Sequence, residues 1–126
     1  MISDKEPVKT IAEMKRETDL PVVIADHEGF ITYVNEPFQL VFGWNSDEIL
    51  GKTLTTIIPR GLHDAHNLGF SRFLLTGTPT LLGQHLTLKA ITKDGTEFEA
   101  EHYIIAEHQE DQWGFGAVIR PLRGNS

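Results

Sequence analysis

The run Asp26-His27-Glu28-Gly29-Phe30-Ile31-Thr32-Tyr33-Val34-Asn35 contains a turn, a strand and a helix start in immediate succession. His27-Glu28-Gly29 is turn chemistry, because glycine accepts the positive φ that a tight reversal demands. Phe30 to Val34 alternates and is rich in aromatic and β-branched residues, the pattern of a half-buried strand. Ahead of the turn, Leu20-Pro21-Val22-Val23-Ile24-Ala25-Asp26 is a second β-rich run, and the pair predicts a hairpin. Asn35 is an N-cap residue, followed by Glu36 and Pro37 in a first helical turn, by the apolar Phe38, Leu40, Val41 and Phe42, and by Gly43 as a stop.

Beyond Gly43, Ser46 with Asp47 and Glu48 starts another helical turn that ends at Gly51. Pro59 and Gly61 break the chain before a longer predicted helix, about Leu62 to Leu75, closed by Thr76-Gly77. At about 100° per residue, Leu62, His66, Phe70 and Phe73 form one stripe, with a histidine inside an apolar face. Three strand-like runs follow, Leu81 to Thr92, Glu97 to Ala106 and Trp113 to Leu122, the first two joined through Lys93-Asp94-Gly95. At the other end, residues 4 to 17 place Val8, Ile11 and Met14 at helical spacing, with Asp4 as N-cap. The chain therefore divides into an N-terminal amphipathic helix or cap (1–19), one domain (20–122) and a tail (123–126). Strands at both ends with helices between them predict an α+β fold: a five-stranded antiparallel sheet with helices packed over one face and a pocket under the long helix.

The 126 residues suffice for one core, and 40% hydrophobic with 23% charged residues is a globular composition. Eleven Lys and Arg against 18 Asp and Glu give a net charge of −7, which opposes binding to nucleic acid or acidic membranes. There is no cysteine, which removes disulfides, thiolate catalysis, iron–sulfur clusters and flavin–cysteine photochemistry. No secretory signal or apolar run of membrane-spanning length is present, so the expected location is cytoplasmic. A nucleophile elbow, a phosphate loop and convincing paired carboxylates are all missing, so the chain reads as a non-enzyme. Gly114-x-Gly116 lacks the rest of a dinucleotide fingerprint and is expected to be a strand irregularity, and Glu107 to Asp111 a solvated hairpin loop.

The ordered set Asp26-x-x-Gly29-x-Ile31-x-x-Val34-Asn35, Phe42-Gly43-Trp44, Glu48-Ile49-Leu50-Gly51-Lys52 and Lys93-Asp94-Gly95-Thr96-x-Phe98 resembles a PAS domain, a family of sensory and interaction modules. The resemblance runs from about Leu20 to Leu122. A narrower one lies on Pro59-x-x-Leu62-x-x-x-His66-x-x-Gly69-x-x-Arg72-x-x-x-Thr76-Gly77, which is similar to the oxygen-sensing haem PAS kinases. It implies haem as cofactor, His66 as the iron ligand and Arg72 near the propionates. It also implies a small apolar distal wall at Leu81, His102 and Ile104. The arginine that bonds the bound gas in that family falls on Leu86, which cannot donate a hydrogen bond.

Strand alternation independently sets His102 on one face with Phe98, Ala100 and Ile104, and Glu97, Glu99 and Glu101 on the other. Phe70, with Trp44, Phe38, Phe42 and Phe73, is either core or a stacking partner for a flat ring. His66 is either a buried histidine satisfied by backbone or water or the iron ligand, and His102 is either a cavity-lining or partly exposed strand histidine or a distal hydrogen-bond donor or sixth ligand. His63 and His66, three apart, lack the third ligand of a zinc site. The expected function is a sensory signal-transduction module responding to a gas, a redox state or a small molecule, with a kinase or cyclase output as in two-component regulation. The alternatives are a cofactor-free module that forms a homodimer through Val8, Ile11, Met14 and the outer sheet face, or a pocket for flavin or another small ligand.

Overall fold

The computed structural model describes residues 10–64, 85–109 and 111–122. Its elements are α1 (Ile11–Met14), β1 (Val22–Ala25), β2 (Ile31–Val34), α2 (Glu36–Phe42), α3 (Ser46–Ile49), β3 (His85–Ile91), β4 (Glu97–Gln109) and β5 (Gln112–Pro121), with short 3-10 turns at Leu54–Ile57 and Arg60–Leu62. The five strands form one antiparallel sheet in the order β2-β1-β5-β4-β3, as expected. The N-terminal hairpin thus joins the C-terminal meander through the β1–β5 pairing.

The hairpin forms because its turn is satisfied internally. Asp26 Oδ1 accepts from the backbone N–H of Glu28 (2.9 Å) and Phe30 (3.0 Å), and Gly29 takes φ +86°. Asn35, buried in the first turn beyond β2, uses its full carboxamide capacity. Its Oδ1 accepts from Val22 N–H (2.9 Å) and Phe38 N–H (3.1 Å), and its Nδ2 donates to the carbonyls of Glu17 (3.1 Å) and Leu20 (2.9 Å). One side chain therefore caps α2, starts β1 and holds the segment that leads into it. Gly43 ends α2 at φ +80°, and Lys93 N–H donates to Phe42 O, tying that helix end to the β3–β4 turn.

The sheet has apolar cores on both faces. On the inner face, Phe38 and Phe42 of α2, Ile49 and Ile57 pack on Val23, Ile31, Val34, Ala90, Ala100 and Ile119. The Phe38 and Phe42 rings stack at 4.3 Å between centroids. On the outer face, Met14 of α1 is fully buried over Val22, Ile24, Tyr103, Ile105 and Val118. Helical cover therefore extends to the second face.

Several local expectations are corrected. A continuous helix over residues 4–17 does not form, because Thr10 is extended and begins α1 with a capping box shared with Glu13. Asp4 and Val8 lie outside the described residues. Gly116 is no irregularity: β5 stays in register there, and a Cβ on Gly116 would stand 2.7 Å from Met14 Sδ and 3.1 Å from Ile24 Cδ1. Its missing side chain is the seat for Met14. The acidic stretch after Ala106 is not a loop, since β4 continues to Gln109 and Asp111 turns the chain at φ +67°. Glu107 accepts a hydrogen bond from Ile11 N–H at 2.9 Å, satisfying one of the free amides that begin α1. Of the predicted long helix, Leu62 belongs to a 3-10 turn and residues 63–64 are helical; the remainder lies outside the described residues.

Asn35→Ala removes one oxygen that accepts two hydrogen bonds and two N–H donors from a buried node, and should lower the stability to urea by about 3 kcal/mol; a change within experimental error would contradict the node's importance. Gly116→Ala should speed amide exchange across residues 10–17 while far-ultraviolet circular dichroism stays native. Combining it with Met14→Ala should cost less than the sum of the single changes, because Met14→Ala removes the thioether that the new Cβ at position 116 would strike. Strict additivity would contradict that packing.

Candidate functional site

The wall of the expected pocket is the inner face of β3, β4 and β5. Leu86 of β3 stands opposite His102 of β4, which stands opposite Ile119 of β5, and Ala100 stands opposite Leu88. Directly opposed residues share a face. Ala90, Ala100 and Ile119 belong to the core under α2, so Leu86, His102 and Ile104 lie on that same inner face. Glu97, Glu99 and Glu101 take the other, where Arg120 pairs with Glu101 at 2.7 Å.

His102 is the polar side chain of this wall and is 9% exposed. Its Nδ1 lies 3.1 Å from Ala100 O. A carbonyl only accepts, so Nδ1 carries the proton and donates. Burial holds the imidazole below its ordinary pKa, and the hydrogen bond to Ala100 opposes that in part. The resident form is neutral, protonated on Nδ1, with its lone pair on Nε2. That arrangement suits metal ligation or acceptance of a hydrogen bond, and does not suit donation to a bound gas. Leu86 beside it supplies no polar atom.

The structure therefore brings Leu86, His102 and Ile104 onto one face. Four other candidates, His66, Phe70, Arg72 and Leu81, lie outside the described residues. His63 is engaged with its own loop, its Nε2 standing 2.7 Å from Ile58 O. Among the described residues no group of three or more His, Asp or Glu side chains is placed to hold a metal ion.

A polar cluster at the end of α2 was not anticipated as a contact. Lys93 Nζ pairs with Glu48 Oε2 at 2.8 Å, and Trp44 receives the ammonium groups of Lys93 and Lys52 over its ring at 5.3 and 5.7 Å from the centroid. The hydrogen bond from Lys93 holds the Glu48 carboxyl below the usual range. Trp44 packs at the margin of the inner core, so one aromatic side chain meets both the core and the two lysine ammonium groups. Glu48, Lys52 and Lys93 all fall within the quoted motifs, but their mutual contact depends on the turns of the fold.

The neutral state of His102 has a pH signature. An unfolded histidine takes a proton as pH falls through its ordinary value of 6.5, whereas the folded one resists until lower pH. Over that window the unfolded state binds more protons, so stability is lost as pH falls. His102→Leu should make the loss between about pH 7 and about pH 5 shallower in urea titrations. Parallel curves for the two proteins would contradict a buried neutral His102.

The sequence profile of a family described as PAS domain matches residues 19–120. An uncharacterized protein of Azorhizobium caulinodans is 30% identical over 102 residues, which is 80% of this chain and 14% of that protein. The sensor protein FixL of Bradyrhizobium diazoefficiens is 26% identical over 88 residues, 70% of this chain and 17% of that protein. The chain thus spans a minor part of the length of either relative. Among solved structures, the PAS domain of a Colwellia psychrerythraea protein superposes with a TM-score of 0.69 at 16% identity, covering 83% of this chain and 87% of that one, which is a likeness of fold. Sheet order, capped elements and the matched span agree: the chain belongs to the PAS domain family.

Proposed function

We propose that this PAS sensory domain holds haem in the inner-face pocket, with His66 as iron ligand, and reports a diatomic gas or the redox state of the iron. The observation that carries the reading is the wall itself: Leu86 and Ile104 are apolar, and the polar side chain between them, His102, is neutral and buried. A flat hydrophobic macrocycle whose charged groups lie at its edge fits such a face. The extended match of Pro59 to Gly77 with the oxygen-sensing haem PAS kinases supports His66 as the ligand and Arg72 as the cation for the propionates. Similarity to a named sensor protein supports the sensory role.

When bound, haem supplies an iron that takes up a gas or changes oxidation state. The chain's residues do the rest. Leu86 and Ile104 of the wall, with Phe70 and Leu81 as the resemblance and the helical stripe imply, would exclude water from the ring. Leu86 offers no hydrogen bond to a bound gas, so selectivity among gases rests on shape and on His102. The signal is passed to an output such as a kinase or cyclase segment of a longer protein. A homodimer would use the outer sheet face; Met14, buried against its own sheet, is not free for it.

The test is an absorption spectrum of protein produced with ample iron and haem precursor, followed by haem titration of the wild type and His66→Ala. The expected result is a sharp Soret band with equimolar haem in the wild type, lost in a His66→Ala protein that stays folded. A colourless protein that takes up haem weakly and equally in both forms overturns the reading. A yellow protein with flavin absorption replaces it with the flavin alternative, and a colourless monodisperse dimer with the interaction module.

A further inference from the structure

The strap between α1 and β1, Lys15 to Leu20, does not close fully against the edge of the sheet. Beside the end of β2 and the first turn of α2 it leaves a cleft of about 320 Å³, whose walls include Lys15, Glu17, Tyr33, Val34, Glu36 and Pro37. That volume is at the lower end of those that hold a small molecule. The cleft lies at the β2 edge, with β1 and β5 between it and the β4 wall. Two of its side chains are held in place. Tyr33 Oη donates to the Lys15 carbonyl at 3.3 Å, and Glu17 Oε2 accepts from the N–H groups of Asp19 (2.9 Å) and Leu20 (3.1 Å). Glu36 is exposed in the first turn of α2. Among the described residues neither carboxylate is in an ion pair. The cleft already receives a cation, because the Lys15 ammonium stands 5.5 Å from the centroid of the Tyr33 ring. Lys15 is exposed and its stem is flexible, so the ring can exchange that ammonium for another.

We propose that this cleft binds a small aliphatic diamine, one ammonium group replacing that of Lys15 over Tyr33 and the other pairing with Glu36, with Glu17 on the strap side. The methylene chain between the charges matches the apolar Val34 and Pro37 of the wall. Two carboxylates and a net charge of −7 favour a cation over an anion and draw cations to the surface. The consequence is mechanical. Lys15 and Glu17 belong to the strap, Tyr33 to β2 and Glu36 to α2, so the ligand clamps the strap to the sheet edge beside Asn35, whose Nδ2 already holds the Glu17 carbonyl. The strap continues directly from α1, and Tyr33 packs against the outer-face core on which α1 sits. A ligand in the cleft therefore steadies α1 on the outer face. The proposal does not depend on haem.

The test titrates the full chain with putrescine, a four-carbon diamine, and follows the amide and Tyr33 ring resonances, with sodium chloride at equal ionic strength as the reference. The expected result is a set of saturable shifts centred on Lys15, Glu17, Tyr33 and Glu36, with slower amide exchange over residues 10–17. Lys15→Gln removes the internal competitor and should tighten binding about twofold or more. Arg16→Gln makes the same charge change outside the cleft walls and should leave binding unchanged. Tyr33→Leu should weaken binding about two- to fivefold, the worth of an exposed cation–π contact. Glu36→Gln, at an exposed position, should weaken it about twofold. Shifts no larger than those produced by sodium chloride overturn the proposal. So do shifts that Lys15→Gln and Glu36→Gln both leave unaltered, or n-butylamine binding as tightly as the diamine. Should Tyr33→Leu not fold, the two exposed variants decide.

Discussion

The carboxamide of Asn35 is the constraint on which the rest of the arrangement hangs. Its four hydrogen bonds join three separate pieces of chain: the segment between Glu17 and Leu20, the first residue of β1, and the first turn of α2. Without it each would leave buried polar backbone groups unpaired, which is worse than having no side chain there to begin with. Its consequences run through the sheet. β1 is set by Asn35, β5 pairs with β1, and β4 pairs with β5, so the register of the pocket wall is inherited from a node at the far edge of the fold.

The two central strands of the meander serve two faces at once. β4 presents His102 and Ile104 inward and Tyr103 and Ile105 outward, and β5 presents Ile119 inward and the Gly116 seat outward. Close packing makes the faces interdependent, since a strand cannot shift under one without disturbing the other. The α1 helix is a short element held by a capping box, one buried thioether and the Glu107 carboxylate, so it is a low-stability element of the kind that responds to strand movement. This is the physical basis for treating a pocket on the inner face as a source of signals on the outer one.

Much of this was legible in the sequence wherever cause and effect are local. The Asp26 turn, the Asn35 cap and the Gly43 stop each follow from residues within a few positions, and period-two alternation alone put His102 on the face opposite the glutamates. Long-range causes were not legible. Gly114-x-Gly116 reads as an irregularity because its reason, Met14, is a remote residue. Glu107 reads as a solvated charge because its partner amide is 96 residues away, and the Glu48–Lys93 pair spans 45. Thr10 and Glu13 spell a capping box, yet the spacing of Val8, Ile11 and Met14 suggested one longer helix. For the site, alternation put His102 and Ile104 on one face and helical spacing put His66 and Phe70 in one stripe, whereas the ligand role of His66 and the places of Arg72, Leu81 and Leu86 rest on the family resemblance.

The most direct measurement is an amide and methyl chemical-shift map of the haem-free protein against the ferrous carbon monoxide complex, which is diamagnetic. The account predicts large changes at Leu86, Ala100, His102 and Ile104, with a second set relayed through Tyr103 and Ile105 to Met14. Changes confined to the Trp44, Lys52 and Lys93 cluster, with β4 silent, would contradict it.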